Sequence, residues 1–285
     1  GTWPAAGVSQ RQMAELMVGR KLEMLYPPKR GGTAREPVLE VRGLSVDHGR
    51  QQASFTVNAG EVLGIGGMIG SGRTELIEGL MGLRPAQAEA VILRGAAVTR
   101  RSVDAWKGRG VVYLTEDRKG KGLLLDDQLA PNLTLTALNE VHPGILLHPP
   151  RETRELRGAV SQYDIRVRSV RLTAGQLSGG NQQKLLLAKV MLTDPSVVII
   201  DEPTRGIDIG NKSQIYEFID ALVRAGKACV VISSELSELV GIADRVLVMR
   251  AGRIVAEMTG DEITEQNVVY AATSSRQTPP GRSDG

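Results

Sequence analysis

The sequence predicts an α/β fold: a mainly parallel sheet flanked by helices, with an N-terminal antiparallel β portion and an inserted helical subdomain. Three observations predict it. Short apolar runs alternate with amphipathic stretches through the second half of the chain, the order expected of a parallel sheet covered by helices. One apolar run, Val62-Leu63-Gly64-Ile65, leads directly into Gly67-Met68-Ile69-Gly70-Ser71-Gly72-Arg73-Thr74. Another, Val197-Val198-Ile199-Ile200, ends in Asp201-Glu202.

Taken in order, residues 1–37 read as the end of a preceding unit plus a linker. They hold a short helical pattern, Met13-Ala14-Glu15-Leu16-Met17, and then the breaker-rich stretch Tyr26-Pro27-Pro28-Lys29-Arg30-Gly31-Gly32. The first residue is Gly, and the chain is expected to start part-way through a longer protein. The main domain is expected over 38–273. It opens with β signals at Val38–Val41 and Ala53–Val57, then an Asn58-Ala59-Gly60 turn. The run at 62–65 suits a buried parallel strand. A helix follows from near Thr74, with Leu76, Ile77, Leu80 and Met81 on one face. Short strands are expected at 90–94 and 111–115, and amphipathic patches over 131–170 place a helical subdomain at about 116–175. The pattern then gives a helix from Ser178 to about 193, a strand at 197–201, a helix at 211–225, a strand at 228–233, a helix at 235–241 and a strand at 245–249. Residues 274–285 read as a disordered tail.

Composition narrows the function. The 285 residues, 41% hydrophobic, suffice for one large domain with an aliphatic core, since aromatics make up only 3%. No apolar run reaches the roughly 18 residues a membrane span needs. The single cysteine, Cys229, lies in an apolar run and excludes an internal disulfide framework. The net charge of +3 is carried by residues 1–37, where Arg11, Arg20, Lys21, Lys29, Arg30 and Arg35 outnumber Glu15, Glu23 and Glu36. The body therefore balances. A basic face interleaved with stacking aromatics is missing, which argues against a nucleic-acid partner.

The glycine stretch fits the phosphate-cradling spacing G-x-x-x-x-G-K-[ST], except that Arg73 replaces lysine. Glycines at 67, 70 and 72 let the backbone aim N–H groups at phosphate oxygens, and the following helix adds its positive end. The Thr74 hydroxyl is a ligand for Mg²⁺. Arg73 keeps the charge on a bulkier, planar fork. Alone, the loop reads equally well as a β–α turn without ligand. Asp201-Glu202 changes that, because carboxylates at the C-terminal end of a buried strand lie where open α/β sheets bind ligands. Asp201 is expected to hold Mg²⁺ directly or through water, and Glu202 to be the base that positions an attacking water. A third segment, Leu177-Ser178-Gly179-Gly180-Asn181-Gln182-Gln183, opens a helix with a hydroxyl and backbone N–H groups, a second anion site.

That third segment resembles the signature of ATP-binding-cassette (ABC) ATPases. Over about Met13–Thr273 the chain resembles the second nucleotide-binding half of the tandem ATPase subunit of monosaccharide importers of the ribose, galactose and xylose type. Met17-Val18-Gly19-Arg20-Lys21-Leu22 with Tyr26-Pro27 resembles the linker between halves, and Gly70 to Leu76, including Glu75, resembles the altered P-loop of the second half. Thr115-Glu116-Asp117-Arg118-Lys119, with Gly122-Leu123, resembles the Q-loop segment, with Glu116 in the place of glutamine. Asp201-Glu202-Pro203-Thr204-Arg205-Gly206-Ile207-Asp208 resembles the Walker B and D-loop run. Ser234 or Glu235, in Ser233-Ser234-Glu235-Leu236, stands where other cassettes have the switch histidine; His48, His142 and His148 are the three histidines and none follows the strand at 228–233.

The resemblance implies an ABC-type P-loop fold, ATP and Mg²⁺ as ligands, and a head-to-tail pair of cassettes. In such a pair the 177–182 signature faces ATP held by the first half, and the 67–75 pocket is a weak site facing the first half's signature. It implies further partners: membrane permease subunits against segment 120–165 and the Glu116 loop, and indirectly a periplasmic sugar-binding protein. The location implied is peripheral, on the cytoplasmic face of the bacterial inner membrane. The adenine-stacking position is open: His48 is the nearest candidate and reads equally as a surface turn residue. Cassette ATPases of DNA repair need long coiled-coil arms between P-loop and signature, and the short interval here lacks sustained heptads.

Overall fold

The computed structural model describes residues 26–29, 36–142 and 146–274. The helical pattern at 13–17, most of the linker and nearly all of the 274–285 tail lie outside the described residues.

The chain runs β1 (Pro37–Val46), β2 (Gln51–Asn58), β3 (Val62–Gly67), α1 (Arg73–Met81), β4 (Ala86–Gln87), β5 (Ala90–Leu93), β6 (Ala96–Ala97), α2 (Val103–Lys107) and β7 (Val111–Leu114). After a π-type turn at Arg118–Gly122 come α3 (Leu129–Thr134), α4 (Leu138–Val141) and α5 (Pro149–Gln162). The second half continues with α6 (Gly179–Met191), β8 (Val197–Asp201), α7 (Ile209–Arg224), β9 (Ala228–Ile232), α8 (Leu236–Ile242), β10 (Arg245–Arg250), β11 (Arg253–Thr259) and α9 (Glu265–Thr273).

One mixed sheet of eleven strands organises these elements, in the order β6-β5-β1-β2-β11-β10-β3-β9-β8-β7, with β4 pairing β1. Strands β10, β3, β9, β8 and β7 are mutually parallel. The β1–β2, β1–β5 and β5–β6 pairs are antiparallel. These two parts meet at a single ladder pair, Arg253↔Gln52, between β11 and β2. The inserted helical subdomain, α3–α5, lies between β7 and β8 in sequence.

Every residue of β3, β8 and β9 is buried, so these strands are covered on both faces, as parallel strands must be. The two-residue repeat then sorts their side chains into two cores. Val198 and Ile200 join the cluster beneath α6 and the helical subdomain, whereas Val197 and Ile199 join the cluster beneath α1 and the antiparallel strands. Trp106 anchors the second core, fully buried with its indole N–H donating to Leu80 O at 2.9 Å. Cys229 is buried in β9 and forms no disulfide, as its apolar run predicts. No described helix is long and apolar enough to cross a membrane.

The expected order holds through β10, with helix ends moved by one to three residues. Three features were not foreseen. The chain turns back after β10 into the antiparallel strand β11, then forms α9, which packs on β10 and α8. Val103–Lys107 is a short helix, capped by Ser102 accepting from Ala105 N. Residues 163–170, the end of the stretch read as helical, are turns and irregular backbone, and one 3-10 turn follows at Ala174–Gln176; Asp164 takes a left-handed backbone, which ends α5.

Candidate active site

The 67–75 loop joins β3 to α1 and turns through left-handed backbone at Gly70 (φ 78°) and Gly72 (φ 93°). Gly67 is required by space as well as by φ, since a Cβ there would sit 2.3 Å from Met249 O. Ser71 N donates to Met68 O, and Ser71 O accepts from Gly252 N at 2.9 Å, which ties the loop to the β10–β11 turn. Ile69 stands 91% exposed at the crest of the loop. Glu75 lies in the first turn of α1.

Arg73, the substituted position, is buried and folded back. Its Nη1 donates to Gly67 O at 2.5 Å and to Ser233 O at 2.8 Å, and its Nη2 lies 4.0 Å from Glu202 Oε1. The guanidinium therefore closes the base of the loop onto the ends of β8 and β9. Burial lowers its pKa, and the carboxylates of Glu202, Asp201 and Glu75 oppose that shift.

Asp201 ends β8, 1% exposed. Burial pushes its carboxyl up to about 6, against the hydrogen bonds from Thr74 and from the Tyr113 hydroxyl at 3.1 Å. Its Oδ1 and the Ser71 hydroxyl are buried and without a hydrogen-bond partner in the protein. Such orphaned oxygens cost free energy unless a ligand completes them. Together with the Thr74 hydroxyl they make an all-oxygen donor set suited to Mg²⁺ at a phosphate site. Thr74 and Asp201 would hold that ion, which would neutralise phosphate charge.

Glu202 adopts left-handed backbone (φ 49°), which costs about 1–3 kcal/mol for a residue with a side chain. Three hydrogen bonds hold it there: Glu202 N donates to Ile232 O at 2.8 Å, Arg205 N donates to Glu202 O at 3.2 Å, and Ser234 N donates to Glu202 Oε1 at 2.7 Å. The Ser234 backbone thus engages Glu202 directly, while Glu235 turns away to pair with Lys212.

The signature segment occupies a different place. Leu177 is buried, and Ser178 is the N-cap residue of α6. Its hydroxyl accepts from Asn181 Nδ2 at 2.9 Å, so it does not cap the helix N–H groups, which stay available to a ligand. Asn181 Oδ1 in turn accepts from Arg166 N. Gln182 is buried and donates to Ala174 O and Leu177 O. A Cβ at Gly179 would lie 3.1 Å from Gly206 O, and one at Gly180 3.2 Å from Asn211. The segment therefore packs on the 205–211 turn, where Asp208 caps α7 by accepting from Asn211 N. Glu116 ion-pairs with Arg205 in the same turn. Among the described residues, no hydrogen bond or ion pair joins 177–182 to 67–75.

His48 sits in the β1–β2 turn with φ 58°, exposed. The fold brings four more residues to these segments; of them the sequence reading quoted only Arg118, within the Q-loop stretch and without a role of its own. Tyr113 reaches Asp201 from β7. Lys212 pairs with Glu235. Arg118 donates to Gln183 beside the signature, and burial lowers its pKa. Glu238 lies buried behind Thr204. Only the tyrosine's place at the end of an apolar run offered any signal.

A phosphate cradle at the end of β3, two carboxylates at the end of β8 across the intervening β9, and a glycine-rich helix start define an ATP-binding cassette. The chain belongs to the ABC transporter family, whose model matches residues 50–205. It is 44% identical to the ribose import ATP-binding protein RbsA 2 of Rhizobium meliloti, over 93% of this chain and 52% of that protein. It is 40% identical to the xylose import ATP-binding protein XylG of Escherichia coli, over 96% of this chain and 55% of that protein. The chain thus spans about half the length of the curated relatives it matches. A solved nucleotide-free ATP-binding cassette from an ABC transporter superposes with a TM-score of 0.67 at 22% identity, over 82% of this chain and 95% of that one. The ATP-binding subunit of another ABC transporter gives 0.63 at 24% identity, over 80% and 92%.

Proposed function

We propose that the chain is the second of two ATP-binding cassettes in the ATPase subunit of a monosaccharide importer, peripheral on the cytoplasmic face of a bacterial inner membrane. The relatives named for ribose and xylose import support the substrate class. ATP binds with its phosphates against the Gly67–Thr74 backbone and the N-terminal end of α1, with Thr74 and Asp201 as the Mg²⁺ ligands. Glu202 orients water toward the terminal phosphate.

The single observation that carries the division of labour is the fold-back of Arg73 onto Gly67 O and Ser233 O. A group in that position neutralises Glu202 and leaves the loop without the flexible ammonium that reaches terminal phosphates. With Glu116 in the Q-loop position and Ser234 or Glu235 at the switch, the pocket holds ATP and turns it over slowly. The Ser178-Gly179-Gly180 signature, whose helix N–H groups stay available to a ligand, completes the active pocket of the first cassette, and Asp208 lies beside it on the same face. Permease subunits dock against segment 120–165 and the Glu116 loop, where Lys121 and Thr136 border a groove of about 590 Å³ that Leu83 after α1, Val103 of α2 and Val112 of β7 also line. Calorimetric ATP binding and phosphate release test the proposal. The chain alone binds MgATP with little turnover, and addition of a first-cassette domain brings turnover; equal turnover by the chain alone would refute it.

A further inference from the structure

Behind the Glu202 loop lies a buried polar node that the motifs do not contain. Glu238, on α8, is 1% exposed, and Thr204 Oγ1 donates to its Oε1 at 3.0 Å. The Ser233 hydroxyl and the Tyr216 phenol are its other hydrogen-bond partners. Thr204 and Ser233 are themselves at most 1% exposed. These partners come from three separate elements: the bend after β8, the end of β9 and α7. A buried carboxyl is costly, and here hydroxyl partners offset that cost where an apolar residue could have filled the space. Burial pushes the carboxyl up to about 7, with Glu235 raising it further and Lys212 opposing.

The node continues outward. The Tyr216 ring packs on Tyr26, with centroids 5.0 Å apart. The Tyr26 phenol hydrogen-bonds Ser237, and its ring fills the space that a Cβ at Gly241 would need, at 2.4 Å. Pro27 and Pro28 follow along Gly241 and Ile242. The segment entering the domain is thus seated on the two helices that frame Glu238.

We propose that Glu238 is a positioning residue: through Thr204 and Ser233 it fixes the two segments that carry and hold Glu202, and through Tyr216 it ties both to Tyr26. Thr204 lies two residues after Glu202 and four before Asp208, so one carboxyl governs both the weak pocket and the turn beside the signature. The functional part of this inference rests on the roles given above to Glu202 and Asp208. The tether itself does not.

Amide hydrogen exchange on the full chain tests it, in peptides covering 201–208 and 232–238, together with MgATP affinity. Glu238→Leu and Thr204→Val should speed exchange in both peptides at least tenfold and weaken ATP binding. Measured at pH 5, where the wild-type carboxyl is neutral, Glu238→Gln, whose amide oxygen still accepts, should match the wild type. Tyr26→Leu should speed exchange severalfold in the same peptides and leave 73–81 unchanged. Unchanged exchange at 201–208 in Thr204→Val or Tyr26→Leu would overturn the inference, and so would Glu238→Gln behaving as Glu238→Leu. Should Glu238→Leu fail to fold, the Thr204 and Tyr26 variants decide alone. The expected exchange pattern in a wild type that binds no MgATP supports the tether and removes the nucleotide reading instead.

Discussion

The two candidate anion-binding segments, 67–75 and 177–182, are built from the same materials and finished differently. Both are glycine-rich turns at a helix start. In the first, the only cation of the loop is spent on the chain's own carbonyls and on Glu202. In the second, the hydroxyl engages only Asn181 and the helix N–H groups remain uncapped by any side chain. A glycine motif therefore reports where phosphate can sit. What the neighbouring side chains are bonded to decides whether chemistry follows.

The sharpest way to break that comparison is Ser178→Arg in the two-cassette protein. Steady-state ATPase should fall at least about a hundredfold, the effect of removing a positioned transition-state donor; a wild-type rate would show that the signature serves no pocket.

Next is the Glu238 node, which is bonded like the first segment but in the interior. A carboxyl whose folded pKa is raised from 4.5 to about 7 contributes stability that is fully present below 4.5 and lost as pH rises through 7. Glu238→Gln should remove that loss. By urea unfolding, the variant gains on the wild type by on the order of 2–3 kcal/mol between pH 5 and pH 8. A constant difference would place the titration elsewhere.

Arg73→Lys sharpens the comparison within the first segment. A shorter, mobile ammonium cannot keep both carbonyl bonds, so ATP affinity of the isolated chain should rise about fivefold, equivalent to about one net hydrogen bond. Glu202→Gln is the smallest effect expected: ATPase of the two-cassette protein stays within about twofold under the proposal that the other pocket is the productive one. Loss of activity there would reverse the assignment of the two sites.

The parallel core was legible because a strand buried on both faces must be apolar throughout, and Val62–Ile65, Val197–Ile200 and Ala228–Ile232 are. The β11 strand was not, because its burial is shallow and its sequence, Arg253-Ile254-Val255-Ala256-Glu257-Met258, has no clean alternation. At the candidate site, motif spacing located Thr74 at the start of α1, and the apolar run at 197–200 located Asp201 and Glu202 at the end of β8. The direction of the Arg73 side chain could not, since its acceptors are main-chain oxygens six and 160 residues away, and backbone carbonyls leave no trace in sequence. Glu238 was hidden for the same reason: a buried carboxyl and a solvated one look alike in the sequence of a short helix.

The narrow seam between β2 and β11 has a mechanical consequence. Only one ladder pair crosses it, and Gln52 N donates to the same Gly252 whose N–H binds Ser71 O. A phosphate gripped by the loop therefore also clamps the antiparallel wing to the rest of the sheet. Heating should peel that wing away first, and nucleotide should delay the peeling more than it delays collapse of the central strands.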